Sequence, residues 1–206
     1  SPAAAPSYLD LAESKVTLWS DGHYTVRITV SGVFPTNTDE PSNNLEWDLI
    51  IDADCNPATG WNSPTLFNDV GPEYVVRYFV TGNRSGSSVL DIKANRSVTL
   101  ESSVHDKSVE ISFSPGQIGA PARFSYMIAA RKYGVSADSN TLVAADKMPN
   151  LGHYSLPDGA YMNAQPGLPS AAVPSKNALI YFSPGNEDSA KWYTDAFELA
   201  YSGVGK

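Results

Sequence analysis

The strict alternation of apolar and polar residues is the feature that most constrains the fold of this 206-residue chain. In residues 23–30 every second side chain is apolar, and the same pattern recurs in residues 45–51 and 74–80. Alternation places the apolar side chains on one face of an extended chain, which is typical of a half-buried β-strand. We predict further strands at residues 15–19, 89–92, 98–101, 109–113, 124–130, 178–182 and 197–201.

Turn-forming residues separate these segments, and the chain contains 15 Gly and 15 Pro. About ten short strands at this spacing predict an all-β fold, a jelly-roll-like antiparallel β-sandwich with long ordered loops. Residues 135–176 have no long alternating run and are expected to form a long loop within the same domain. The predicted organisation is a flexible N-terminal segment at residues 1–7 and a single β-sandwich domain at residues 8–206.

Charge and hydropathy exclude two classes of partner. The formal net charge of -8 would repel nucleic acid and anionic membranes. No apolar run approaches the roughly 18 residues of a membrane helix, so no membrane insertion is expected. The first six residues, SPAAAP, are typical of a mature protein after signal removal. We therefore expect a secreted or extracellular protein, a class that includes proteins of the cell surface and the periplasm.

An acidic loop directly after the strand at residues 45–51 is the most specific local motif. Asp52, Asp54 and Asn56 place side-chain oxygens at alternate positions, and a second cluster contributes Asp69 and Glu73. Calcium takes six to eight oxygen ligands, and alternation turns several oxygens of one loop inward. These five residues are the predicted calcium ligands. The alternative is a turn in which Asp and Asn side chains cap backbone amides.

Several short motifs together resemble the DOMON-like superfamily of β-sandwiches. They are residues 52–60 (DADCNPATG), 71–74 (GPEY), 113–119 (FSPGQIG), 124–130 (FSYMIAA) and 146–152 (DKMPNLG). This superfamily includes the family 9 carbohydrate-binding modules. The resemblance implies a jelly-roll sandwich with structural calcium at the acidic loop, for which Asp146 is a further candidate ligand. Some members of the superfamily bind sugars and others bind haem, so the resemblance leaves both ligand classes open.

Exposed aromatic rings are the side chains that a carbohydrate ligand requires, because sugars present apolar C–H faces. The candidate ligand-binding residues in predicted loops are Trp61, Tyr154, Tyr161 and Trp192. Trp19 and Trp47 follow strand patterns and are expected in the core. The main hypothesis is therefore a calcium-stabilised module that recognises a polysaccharide or a cell-surface glycan. The alternative for each ring is ordinary packing against the core.

Two other binding roles remain open. The Pro- and Ala-rich start of the chain is compatible with a structural subunit of a surface layer, filament or complex that self-assembles through a linker or a donated strand. Non-covalent haem binding needs two axial ligands facing one cavity, for which Met127, Met148, Met162 and His153 are available.

Catalysis has little support from sequence motifs. Glu46, Asp48 and Glu110 fall on strand faces opposite the apolar rows, where paired carboxylates can act as acid and base. Solvated sheet faces carry such residues routinely, and no nucleophile, zinc or phosphate-loop motif is present. We therefore favour binding over catalysis, which stays an open alternative.

Overall fold

The computed structural model describes residues 6–38, 43–61, 70–135, 140–149, 153–156 and 179–184. Side chains are described for these residues except 135, 140, 141 and 179–184. Asp69, Tyr161, Trp192 and Met162 lie outside the described residues.

The described residues form eleven β-strands and one turn of 3-10 helix at Pro115–Ile118. The strands are β1 (Leu11–Leu18), β2 (Tyr24–Val30), β3 (Asn43–Asp52), β4 (Tyr74–Thr81), β5 (Arg84–Asp91), β6 (Arg96–His105), β7 (Ser108–Phe113), β8 (Phe124–Val135), β9 (Asn140–Met148), β10 (Tyr154–Leu156) and β11 (Leu179–Pro184). The predicted all-β antiparallel fold is confirmed.

The strands pair in the order β10-β8-β3-β4-β5-β6-β7-β2-β1-β11, and β9 also pairs with β8. Every pairing is antiparallel. The two ends of this strand order lie close together. A hydrogen bond joins them, in which the Leu11 N–H of β1 donates to the Asp146 carboxylate of β9 at 2.8 Å. The sheets therefore curl into a nearly closed, barrel-like sandwich.

The core is built from the alternating rows that the sequence predicted. One row per strand points inward, for example Trp47 and Leu49 of β3, Val76 of β4 and Ile111 of β7, all fully buried. Aromatic pairs join the two sides of the core, and the Phe34 and Trp47 ring centroids lie 4.3 Å apart. The opposite faces carry many of the polar groups, and the candidate sites lie there.

A second, smaller buried cluster lies on the other face of β3 and β8. It consists of Ile50, Val70, Met127 and Ala129. Met148 belongs instead to the main core. The described structure therefore does not bring Met127 and Met148 together as a pair of axial haem ligands. Among the described residues, no helix has the length and hydropathy needed to cross a lipid bilayer.

The stretch expected to be one long loop contains two strands, β9 and β10. This differs from the expectation because β9 carries small or exposed residues, so no alternation marks it. Tyr154 begins β10, is 8% exposed and packs against Tyr126 at 5.4 Å between ring centroids. Tyr154 is therefore a core residue and not the exposed sugar platform that its sequence context suggested.

Candidate functional site

The acidic loop brings three carboxylates together at the end of β3. One oxygen each from Asp52, Asp54 and Glu73 lie within 4.8 Å of one another. Asp52 is the last residue of β3, and Glu73 directly precedes β4, the strand that pairs with β3. The antiparallel pairing therefore places Glu73 beside the loop that follows Asp52. This arrangement of oxygen donors is suited to a hard cation such as calcium.

Backbone contacts hold the loop in this shape. Asp52 accepts hydrogen bonds from the N–H groups of Asn56 and Gly71, and Glu73 accepts one from Ala53 at 2.8 Å. The acidic loop and the segment before β4 approach each other so closely that only glycine fits at positions 60 and 71. A Cβ on Gly71 would lie 2.0 Å from the Thr59 carbonyl oxygen. Gly60 adopts a positive φ of 69° and faces the Gly71 backbone in turn.

Thr59 lies at the centre of the cluster and was not among the predicted ligands. Its Oγ1 is 2.9 Å and 3.0 Å from the two Asp54 carboxylate oxygens, 2.8 Å from the Asn56 carbonyl oxygen and 3.4 Å from Glu73 Oε1. A hydroxyl has one proton, so it satisfies only one of these four acceptors at a time. Several oxygen lone pairs around Thr59 are therefore left to water or to a cation.

The electrostatics of the cluster agree with this interpretation. Burial raises the pKa of Asp52, and the neighbouring Asp54 raises it further. The backbone hydrogen bonds from Gly71 and Asn56 lower this pKa, but they do not cancel the rise. Burial also raises the pKa of Glu73, and the charges of Asp54 and Asp52 add to that shift. Like charges held together in this way are relieved either by protonation or by a cation.

Any calcium that binds at this loop is expected to bind more weakly on acidification, because protons and calcium compete for the same carboxylates. The pKa values of Asp52 and Glu73 are raised, so the competition begins above the ordinary carboxyl range. We expect affinity to fall about tenfold or more between about pH 7 and about pH 4.5. Isothermal titration with calcium chloride measures this change, with circular dichroism as the control for folding. Equal affinity at both pH values would contradict the assignment of these carboxylates.

A cleft of about 400 Å³ adjoins the acidic loop on the outer face of β8, β3, β4 and β5. We call it the Trp61 cleft. Its apolar surface comes from Trp61, Tyr133 and a group of aliphatic side chains, and its polar surface comes from amides and an ionic network. Trp61 directly follows the acidic loop and is 47% exposed. The Trp61 N–H donates to the Pro72 carbonyl at 2.9 Å, which fixes the backbone of the tryptophan next to Glu73.

The inner side of the cleft is an ionic network across three strands. Glu46 and Asp48 of β3 lie between Arg77 of β4 and Arg131 of β8. Arg77 contacts Glu46 at 3.0 Å and Asp48 at 2.8 Å, and Arg131 contacts both carboxylates as well. Asp48 is fully buried, whereas Glu46 and Arg77 remain partly accessible from the cleft.

The charges of this network are mutually compensated. Burial raises the pKa of Glu46, and Asp48 raises it further, while Arg77 and Arg131 lower it. Burial acts to lower the pKa of Arg77, but the Asp48 and Glu46 carboxylates outweigh it and raise that pKa. Two guanidinium groups and two carboxylates give a formal sum of zero. Glu46 and Asp48, considered above as catalytic carboxylates, are thus engaged in ion pairs.

Of the other predicted ligands, Asn56 lies in the same loop, where its side chain caps a backbone amide. Its side-chain Oδ1 accepts a hydrogen bond from the Ala58 N–H at 3.1 Å, which is an Asx turn. Its backbone N–H donates to both Asp52 and Asp54. The amide capping proposed as the alternative to calcium therefore occurs in the same loop that gathers the three carboxylates. Asp146 lies elsewhere, where it binds the N–H of Leu11.

Comparison with family models, with known proteins and with solved structures finds no match for this chain.

Proposed function

We propose that this protein is a calcium-stabilised binding module that recognises a neutral carbohydrate, a polysaccharide or a cell-surface glycan, in the Trp61 cleft. The single observation that carries the proposal is the position of Trp61. It is an exposed indole at a cleft that also contains a second aromatic ring and a set of hydrogen-bonding groups. Sugar rings need this combination, because their C–H faces pack on aromatic rings while their hydroxyl groups require polar partners.

The polar groups of the cleft favour a neutral ligand. Each arginine already contacts the carboxylates of Glu46 and Asp48, so the cleft offers no surplus positive charge for an acidic sugar. The amides of Asn44 and Asn95 line the cleft and provide neutral donors and acceptors that suit sugar hydroxyl groups.

Calcium has a positional role in this proposal. The loop that gathers Asp52, Asp54 and Glu73 ends at Gly60, and Trp61 is the next residue. A cation that binds these carboxylates therefore also fixes the start of the segment that carries the indole. We expect calcium to preorganise Trp61 and so to strengthen glycan binding without contacting the sugar.

Replacing Trp61 by alanine is expected to weaken glycan binding about tenfold or more, because an aromatic side chain that acts as a binding hot spot contributes about 2 kcal/mol or more. Affinity electrophoresis in gels containing mixed-linkage β-glucan, xylan, galactomannan or dextran measures this loss. The Trp61→Phe variant should retain part of the binding, since it keeps a ring.

Val33→Ala is the matched control for this experiment, because Val33 is 67% exposed and does not line the cleft. It should migrate like the wild type in every gel. Unchanged retardation of Trp61→Ala in a gel that retards the wild type would contradict the assignment of the cleft.

A further inference from the structure

A second cleft, of about 760 Å³, lies on the outer face of β1, β2, β7 and β6. We call it the Trp19 cleft. It shares no lining residue with the Trp61 cleft. Its volume falls in the range of small-molecule binding sites, and its lining is rich in hydroxyl groups. The proposed function makes no use of it.

The strand register arranges the lining side chains of this cleft in rows that cross the strands. Thr17 of β1 pairs with Thr25 of β2, Thr25 pairs with Ser112 of β7, and Ser112 pairs with Glu101 of β6. All four residues line the cleft. Four adjacent strands span about 14 Å at the usual inter-strand spacing. The result is an elongated row of three hydroxyl groups that ends in a carboxylate.

Two stacked rings border one side of this row. The rings of Trp19 and His23 lie 5.8 Å apart between centroids with an angle of 15° between their planes. Trp19 Nε1 donates to Thr25 Oγ1 at 2.9 Å, and His23 Nδ1 lies 2.5 Å from Asp21 Oδ1. These contacts fix the indole and the imidazole before any ligand binds, which lowers the entropic cost of binding. Trp19 is thus a partly exposed cleft residue, and its expected place in the core is wrong.

A row of charged residues borders the other side, where Lys15 pairs with Arg27 and Arg27 with Glu110 across the strands. Arg27 lies 3.7 Å from Glu110, and its Nε donates to Ser108. The charged lining residues are Lys15 and Arg27 with positive charge and Asp21, Glu101 and Glu110 with negative charge. This mixture gives no net positive field for an anionic ligand.

We infer that the Trp19 cleft is a second carbohydrate site, which binds a neutral oligosaccharide segment lying across the strands along the hydroxyl row. The stacked rings at one side contact an apolar sugar face, while Thr25, Ser112 and Glu101 exchange hydrogen bonds with its hydroxyl groups. Two sites on separate faces make one chain bivalent, so it cross-links polysaccharide strands. The inference rests on the proposed function in one respect only, the class of the ligand.

The test blocks each cleft separately. Ser112→Tyr places a bulky side chain in the middle of the hydroxyl row while keeping a residue that suits a strand. Thr99→Tyr is the matched control, because Thr99 is an exposed strand residue that lines neither cleft. Affinity electrophoresis against β-glucan, xylan, galactomannan and dextran compares the wild type, Ser112→Tyr, Thr99→Tyr, Trp61→Ala and the Trp61→Ala/Ser112→Tyr double variant.

We expect Ser112→Tyr to reduce retardation severalfold, Thr99→Tyr to leave it unchanged and the double variant to abolish it. Wild-type protein should also make a solution of the retarding polysaccharide turbid, and either single variant should not. Normal binding and turbidity of Ser112→Tyr, together with loss of binding in Trp61→Ala, would overturn the second site and leave the proposed function intact. Loss in Ser112→Tyr alone would support the Trp19 cleft and overturn the Trp61 cleft. Absence of retardation of the wild type by all four polysaccharides would overturn both.

Discussion

Replacing Asp48 by alanine is expected to lower the free energy of unfolding by about 3–5 kcal/mol, because it removes one partner from a buried ion pair. Asp48 is fully buried between Arg77 and Arg131, and Arg131 is itself 4% exposed. Without Asp48, the described network retains one carboxylate, Glu46, against two guanidinium groups. An uncompensated buried charge is more destabilising than the loss of a surface pair.

Urea denaturation of Asp48→Ala and of a matched control measures this difference. Glu110→Ala serves as the control, because its pair with Arg27 is long and both side chains are more than a third exposed. Exposed pairs of this kind contribute about 0–1 kcal/mol, so the control should unfold close to the wild type. Equal midpoints for Asp48→Ala and Glu110→Ala would show that the network is not a buried electrostatic unit.

The second large effect concerns calcium. At a free calcium concentration 100 times the dissociation constant, binding should add about 2.7 kcal/mol to the stability of the native protein. For a chain of this size that corresponds to a rise of about 5–10 °C in Tm. The Asp52→Ala/Asp54→Ala double variant should lose this rise, because it removes two of the three carboxylates that the loop brings together.

Thermal unfolding with calcium and with EDTA measures the shift for each variant. The matched control is Glu13→Ala/Glu101→Ala, which removes two exposed carboxylates outside the acidic cluster and so produces the same change of net charge. It should keep the full calcium response. A calcium-induced rise that survives in Asp52→Ala/Asp54→Ala would mean that the cation binds elsewhere.

Much of the fold can be read from the sequence because burial on one face leaves a local signal. Alternation predicts strands at β2, β3 and β4, and their apolar rows form part of the core. Alternation does not mark a strand that buries few apolar side chains. In β6 the only buried residue is Leu100, so only its central part was predicted. In β9 the exposed Leu142 and Val143 and the small Ala144 and Ala145 conceal the strand.

The candidate site was predictable only where its residues are close in sequence. Alternate oxygens mark Asp52 and Asp54, and Glu73 follows from its place just before the next strand. The ionic network of the Trp61 cleft depends on the pairing of β3 with both β4 and β8. That register places Asp48 opposite Arg77 and Glu46 opposite Arg131, residues far apart in the chain. Only long-range pairing reveals such a network.

The most direct test of the proposed function is affinity electrophoresis of the wild type against the same four neutral polysaccharides, run once with calcium and once with EDTA. We expect retardation by at least one polysaccharide in calcium and clearly weaker retardation in EDTA, because in our proposal calcium at the acidic loop positions Trp61. Retardation that is equally strong in EDTA would contradict the link between the loop and the cleft. Migration unaffected by any of the polysaccharides would contradict carbohydrate recognition itself.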